Sequence, residues 1–185
     1  MSNLAELIKR LKAFRDAIPD VMPHVATSVS MSAKALAERT IKDKGFGKTY
    51  STTEVPAFLF YGKALNKRGK TYSETLEKNA DEENPATTNW GEFRSAQGLQ
   101  NKFVDLTYSG KMWSSMFPQD VQVDLFRYVA PLGSTNKEGQ NKMNWNYDRY
   151  GDFIYDTLKS TDADDVLHDI AHDELVRLLD EKLKL

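Results

Sequence analysis

The chain has no cysteine. Disulfide frameworks, thiolate nucleophiles and cysteine-ligated zinc or iron–sulfur sites are therefore outside its chemistry. It also has no apolar run near the roughly 18–20 residues that span a bilayer. Its opening MSNLAELIKRLKAF is amphipathic and charged, without the apolar segment and small-residue cleavage site of a secretory signal. These features predict a protein made and kept in a cytoplasm-like compartment, with no membrane partner. An excess of one charge is missing too: 25 Lys and Arg stand against 27 Asp and Glu. A dedicated non-specific DNA binder would be strongly basic.

What is present is globular. A chain of 185 residues predicts one domain over 1–185, long enough to bury a core and to carry a long insertion. Charge is spread unevenly along it. Residues 1–48 hold nine basic side chains against five acidic ones, and residues 160–185 hold eight acidic against three basic. Such ends are either solvated helix faces or surfaces through which subunits of opposite sign meet.

Leu4, Leu7, Ile8, Leu11 and Phe14 fall at helical spacing and predict a helix over 3–16, ended by Pro19. Asp20 is placed to cap a second helix running to about Lys42, where Gly45 and Gly47 stop it. No internal repeat or heptad array is evident. EVPAFLFY at 54–61 reads equally as a strand or a buried loop. Residues 66–101 turn polar and predict an extended loop or insertion, with one short helix from Thr71 to about Lys78. Ser109 is placed to cap a short helix bearing Met112, Trp113 and Met116, and Pro118 to end it. Val121, Val123 and Leu125 then alternate with polar residues, the period of a half-buried strand, with Phe126–Ala130 as its continuation or hairpin partner. GSTNKEGQNKMNWN predicts a second long loop over 133–149. Thr161 with Asp164 opens a last helix, about 162–183, apolar over half its circumference. A helix that apolar must touch both its own core and a neighbour.

Candidate chemistry is sparse. GFGKT at Gly45–Thr49 has Lys42 where a phosphate-binding loop needs glycine, and follows a helix rather than a strand, so it reads as a helix stop. His168 and His172 have the spacing of two zinc ligands on one helix face, but they flank the leucine stripe and lack a third ligand nearby in sequence. Glu92 in NWGEFR and Asp148 in MNWNYDRYG lie among tryptophan, tyrosine and asparagine, as in sugar-binding clefts. Glycoside hydrolysis needs two carboxylates at a set separation, which a sequence does not display. Ser114 and Ser115 stand in no nucleophile elbow. The same aromatic and amide mixture also composes protein–protein contact surfaces. No catalytic residue, cofactor or metal is expected.

Two stretches together resemble a known family. Leu106-Thr107-Tyr108-Ser109-Gly110-Lys111-Met112-Trp113-Ser114-Ser115-Met116, with the strands to Tyr128, is similar to its "TG-basic-L…S-I" element. Asp152-Phe153-Ile154-Tyr155, followed by the acidic Thr161–Asp165 start and leucine-rich last helix, is similar to its closing motif. The family is the tail-completion, or head–tail joining, proteins of tailed bacteriophages, also called virion morphogenesis proteins. The resemblance covers residues 1–45 loosely and 103–183 better, and residues 46–102 fall outside it. Asp152 stands where many relatives carry Arg or Pro.

The resemblance implies an α+β fold, with N-terminal helices and a long C-terminal helix packed on a small antiparallel sheet. It also implies a non-enzymatic ring subunit at the virion neck, sixfold or twelvefold, found in the host cytoplasm before assembly. Its partners would be its own copies and portal-side or tail proteins, with DNA at most passing through the lumen. Leu175, Leu179 and Leu183 are the residues expected at the subunit interface. Trp90, Phe93, Trp113, Trp145 and Tyr147 are expected to contact a partner, although Trp113, beside Met112 and Met116, suits a core better. The alternatives are a tail terminator, a capsid-associated protein, or a hydrolase using Glu92 or the His168–His172 pair.

Overall fold

The computed structural model describes residues 4–124, 127–159 and 161–183. It is mostly helical, with a long N-terminal helix, a long C-terminal helix packed against it, and small two-stranded antiparallel sheets. The chain forms two compact units: residues 1–40 with 110–185, and residues 41–109. The second lies within the sequence of the first and takes in the stretch, 46–102, that falls outside the family resemblance.

Helix α1 runs unbroken over Leu4–Lys44. Pro19, expected to end a first helix, lies inside it, as does Pro23. Each proline costs a helix interior about 3 kcal/mol. The cost is offset by burial on both sides: Ala17, Val21 and Val25 form a core cluster with Leu179, against which Val29, Ala171, Leu175, Leu178 and Leu183 pack. Each fully buried aliphatic side chain contributes about 1.5–3 kcal/mol, so the cluster outweighs the two prolines. Thr27 Oγ1 donates to the Pro23 carbonyl. At the far end the Gly45 N–H donates to the Ile41 carbonyl, with glycine in the left-handed conformation (φ 71°). A Cβ at Gly45 would stand 2.8 Å from the Phe103 ring, so both space and backbone require glycine there.

In the unit of residues 41–109, β1 (Val55–Pro56) pairs antiparallel with β2 (Thr87–Thr88). A 3-10 helix over Ala57–Lys63 follows β1, resolving the ambiguous apolar run. The polar stretch 66–101, expected as an extended loop, carries α2 (Lys67–Lys78) and α3 (Trp90–Ala96). Both begin on asparagine caps: Asn66 accepts from the Gly69 N–H and Asn89 from the Glu92 N–H.

In the other unit, α4 (Lys111–Ser115) starts from Gly110 rather than from a Ser109 side-chain cap. Then β3 (Met116–Pro118) pairs with β6 (Leu132–Ser134), and β4 (Gln122–Asp124) with β5 (Arg127–Val129), all antiparallel. Of the two alternatives after Val121, continuation or hairpin partner, the chain takes the hairpin, and β4 is exposed throughout rather than half-buried. Leu125 and Phe126 lie outside the described residues. The second expected loop, 133–149, is mostly helix: α5 spans Lys137–Tyr150, capped by Asn136 accepting from the Gly139 N–H. Then come α6 (Phe153–Lys159) and α7 (Ala163–Leu183). Among the described residues no helix is long and apolar enough to cross a membrane.

Candidate functional site

The aromatic residues singled out from sequence go to two different places. Phe93 is fully buried in the unit of residues 41–109, with ring centroids 4.6 Å from Phe60 and 6.1 Å from Trp90. Trp90 is half-buried in the same cluster, 5.3 Å from Tyr108. Trp113 is buried in the other unit, edge-on to Phe153 at 6.0 Å. Phe93 and Trp113, expected to contact a partner, are core residues here. Large rings between short elements fill volume that aliphatic side chains would leave empty.

Beside the aromatic cluster lies a buried polar hub. The Arg94 guanidinium donates to Asp105 Oδ2 at 2.8 Å, to the Gln100 carbonyl at 3.0 Å and to the Thr107 carbonyl, and stands 4.5 Å from the Tyr50 ring. Asp105 Oδ1 accepts from the Tyr50 hydroxyl (2.6 Å) and the Thr107 N–H (2.8 Å). These bonds hold Leu106 in the left-handed region at φ 52°, which costs an L-residue about 1–2 kcal/mol. Burial, followed by the hydrogen bond to Asp105, pushes the Tyr50 phenol well above its ordinary value. Each of the three guanidinium nitrogens donates within the unit, so the hub ties the loop 100–107 to α3.

Glu92 lines an open cleft of about 350 Å³ with Arg68, Tyr72, Ser95 and Ala96. Its carboxylate accepts from Thr88 Oγ1 at 3.0 Å. Among the described residues Glu92 is the carboxylate that lines the cleft, without the second acid that a glycosidase pair needs. His168 and His172 are exposed on α7, and among the described residues no group of three or more potential ligands could hold a metal ion. Ser114 and Ser115 are engaged with backbone carbonyls of α4, at Lys111 and Met112.

Comparison with protein-family models, curated proteins and solved structures finds no match to this chain. The surface chemistry itself must carry a functional reading.

Trp145 and Tyr147 lie open on α5, 58% and 54% exposed. Their helix is fixed from beneath. Gly139 fits against Ser115 and Ser134, where a Cβ would stand 1.9 Å and 2.2 Å from the two hydroxyl oxygens. Buried Asn146 donates to the Lys142 carbonyl (2.7 Å) and to Met112 Sδ (3.3 Å). Glu138 bridges Lys142 and Lys111, at 2.9 and 3.1 Å, and the hydrogen bond from Lys142, then that from Lys111, lowers its pKa. On the open side the Arg149 guanidinium lies 5.3 Å from the Trp145 ring and 5.6 Å from the Tyr150 ring. Trp145 and Arg149, four residues apart on one exposed flank of a rigid helix, have the composition of a protein-contact hot spot, and Tyr147 is exposed on the other flank.

Leu179, expected at a subunit interface, is buried against α1 of its own chain, and Leu175 and Leu183 pack on the same cluster. The apolar residues of α7 left open are Val166 and Val176. A larger apolar surface lies on the first turns of α1, where Leu4, Leu7, Ile8, Leu11 and Phe14 are all exposed. Helical periodicity places these five residues together on one helix but does not say what covers them.

Proposed function

We propose that this chain is a non-enzymatic structural protein of the tailed-phage neck, a head–tail connector or tail-completion subunit that assembles into a ring with its own copies. The observation that carries the reading is the exposed apolar stripe at the start of α1, five large side chains on one helix face that are each 41–69% exposed. Contiguous apolar surface of this kind marks an assembly face. The exposed Trp145 and Arg149, which share one flank of α5, supply a second contact surface of different chemistry, with Tyr147 on the other flank. A ring subunit needs two unlike surfaces, because heterologous contacts close a cycle only when different faces meet. After Gly110 come a short helix, antiparallel strands, α5 in place of the expected loop, the aromatic-led Phe153 segment and a final leucine-rich helix, an order that supports the family resemblance apart from α5.

Quantitative mass spectrometry of purified virions, scaled to the major capsid protein, tests this. About six or twelve copies per particle are expected of a closed neck ring. Hundreds of copies would place the chain in the shell or tail tube, and absence from mature virions would overturn the structural reading.

A further inference from the structure

The exposed stripe at the start of α1 belongs to a longer seam. Leu4, Leu7, Leu11, Phe14, Ile18, Val21 and Val25 follow one another in steps of three and four along the helix, the spacing of a helix–helix packing seam. α7 covers its later part: Ala17, Val21 and Val25 lie in one cluster with Leu179, and Leu175, Leu178 and Leu183 pack beside it. Lys182 pairs with Asp20, and Glu174 lies in the field of His24, so the two helices run in opposite directions. α7 therefore reaches its last turn beside Asp20. Leu4, Leu7, Leu11 and Phe14 lie beyond that end, each 41–69% exposed.

Both prolines of α1 fall at this boundary. Proline has no N–H, so Pro19 leaves the Arg15 carbonyl without its helical donor, and Pro23 does the same to the Pro19 carbonyl. Two bonds of the ladder are thus missing one turn apart. At 100° per residue, Pro19 and Pro23 each stand about 160° around the helix from Val21. The weakened side is the back of the seam, where Pro19 is exposed and Pro23 half-buried. Between the prolines, Asp20, Val21 and Met22 all retain an N–H to carry the ladder through. Each proline ring also crowds the carbonyl four residues earlier. Crowding on the back spreads that side, and the axis bends toward the front, the side that α7 covers.

We propose that residues 4–15 of α1 form an arm that pivots at the turn Arg15–Pro19, in the plane of the seam, while the helix from Asp20 onward stays fixed on α7. Ala17, inside the pivot, has only a methyl group to keep in the cluster. Helix kinks at proline exceed about 20°. Lys9 lies eight residues before Ala17, about 12 Å along the axis, so such a bend carries it sideways by about 4 Å or more. The bend turns Leu7, Leu11 and Phe14 toward the side on which α7 ends and leaves Val21 and Val25 in place. The exposed apolar stripe is thus mounted on a joint. This inference goes beyond the ring-subunit reading and does not depend on it.

The absence of native cysteine makes the test clean. Lys9→Cys and Asp173→Cys, both at exposed positions, are introduced together and spin-labelled, and the distance distribution is read by pulsed dipolar EPR. Labelled chains are diluted in excess unlabelled chain, so that only distances within one chain count. A second pair, Met31→Cys with Asp173→Cys, reports on the part of α1 beyond the prolines. Each pair is measured with the native prolines and with Pro19→Ala and Pro23→Ala combined. Alanine is the strongest helix former, and thermal melts verify that every variant is folded. With native prolines the Lys9 pair is expected to spread about 4 Å or more beyond the Met31 pair, toward shorter distances. The double replacement is expected to collapse that spread to a single narrow distance and to leave the Met31 pair unchanged. A Lys9 distribution equally narrow in both backgrounds would overturn the proposal, since α1 would then be one rigid rod. A distribution equally broad in both would overturn it too, since the motion would be end fraying that owes nothing to the prolines.

Discussion

Replacing Arg94 with methionine should remove most of the stability of the unit formed by residues 41–109. The side chain is 1% exposed and its Asp105 partner 9% exposed, so the pair is screened by almost no water. Methionine keeps much of the aliphatic stem's packing, but it strands a buried carboxylate and leaves the Gln100 and Thr107 carbonyls without their donor. Breaking one side of a buried ion pair costs about 3–5 kcal/mol. A unit of about 70 residues holds on the order of 3–10 kcal/mol in total. Urea titration followed by peptide-resolved hydrogen exchange reads this directly, as lost protection in peptides from 41–109. Asp105→Asn keeps an acceptor for Tyr50 and Thr107 but removes the charge beside the guanidinium, and should fall in the same range. If both variants lose less than about 1 kcal/mol, the value of a solvent-exposed pair, the account of the hub as a buried, charge-paired network is wrong.

Three further outcomes follow from the geometry. Gly139→Ala gains about 1 kcal/mol of helix propensity but drives a Cβ into Ser115 and Ser134. The overpacking wins, and Tm should fall by the equivalent of about 1–3 kcal/mol. Because the folded-state pKa of Tyr50 is raised, the stability it contributes is complete below its unfolded value of about 10 and is lost as pH climbs from there toward the folded value. Alkaline urea melts should show that decline, and Tyr50→Phe should flatten it; an unchanged slope would remove Tyr50 from the account. Trp145→Ala, at an exposed site, should leave stability within about 0.5 kcal/mol, while incorporation of the chain into particles drops.

The last helix was readable because its leucines recur at helical spacing over five turns, and burial of Leu179 follows that pattern. The continuity of α1 was not. Pro19 is a local stop signal, and reading it as one cut a single three-and-four seam into two pieces, so no heptad pattern was visible. Only the tertiary contact of Ala17, Val21 and Val25 with α7 shows why the helix passes through it. α5 was hidden by composition, since glycine and asparagine weaken helices in isolation. Here Gly139 is required by close packing and Asn146 by its buried hydrogen bonds. The Arg94–Asp105 hub carried no periodic signal at all, because it joins a helix to an irregular loop through backbone carbonyls. Trp145 and Tyr147 were identified as candidates by residue type alone. Nothing in the sequence separated them from Phe93, whereas Trp113 was set apart by Met112 and Met116 beside it, and its burial agrees with that.

The packing of α7 on α1 sets an order on the birth of the protein. Asp20 and Lys182 are 162 residues apart, so at roughly 5–20 residues per second the first helix waits about 8–30 s for its partner to leave the ribosome. The contiguous unit 41–109 is finished well before then. Throughout that interval the whole seam from Leu4 to Val25 is naked, including the half that the mature chain conceals. Newly made chains are thus at their most adhesive before they are complete. Neighbouring nascent chains on one message would meet through α1 first, and a holdase chaperone would find its best grip there.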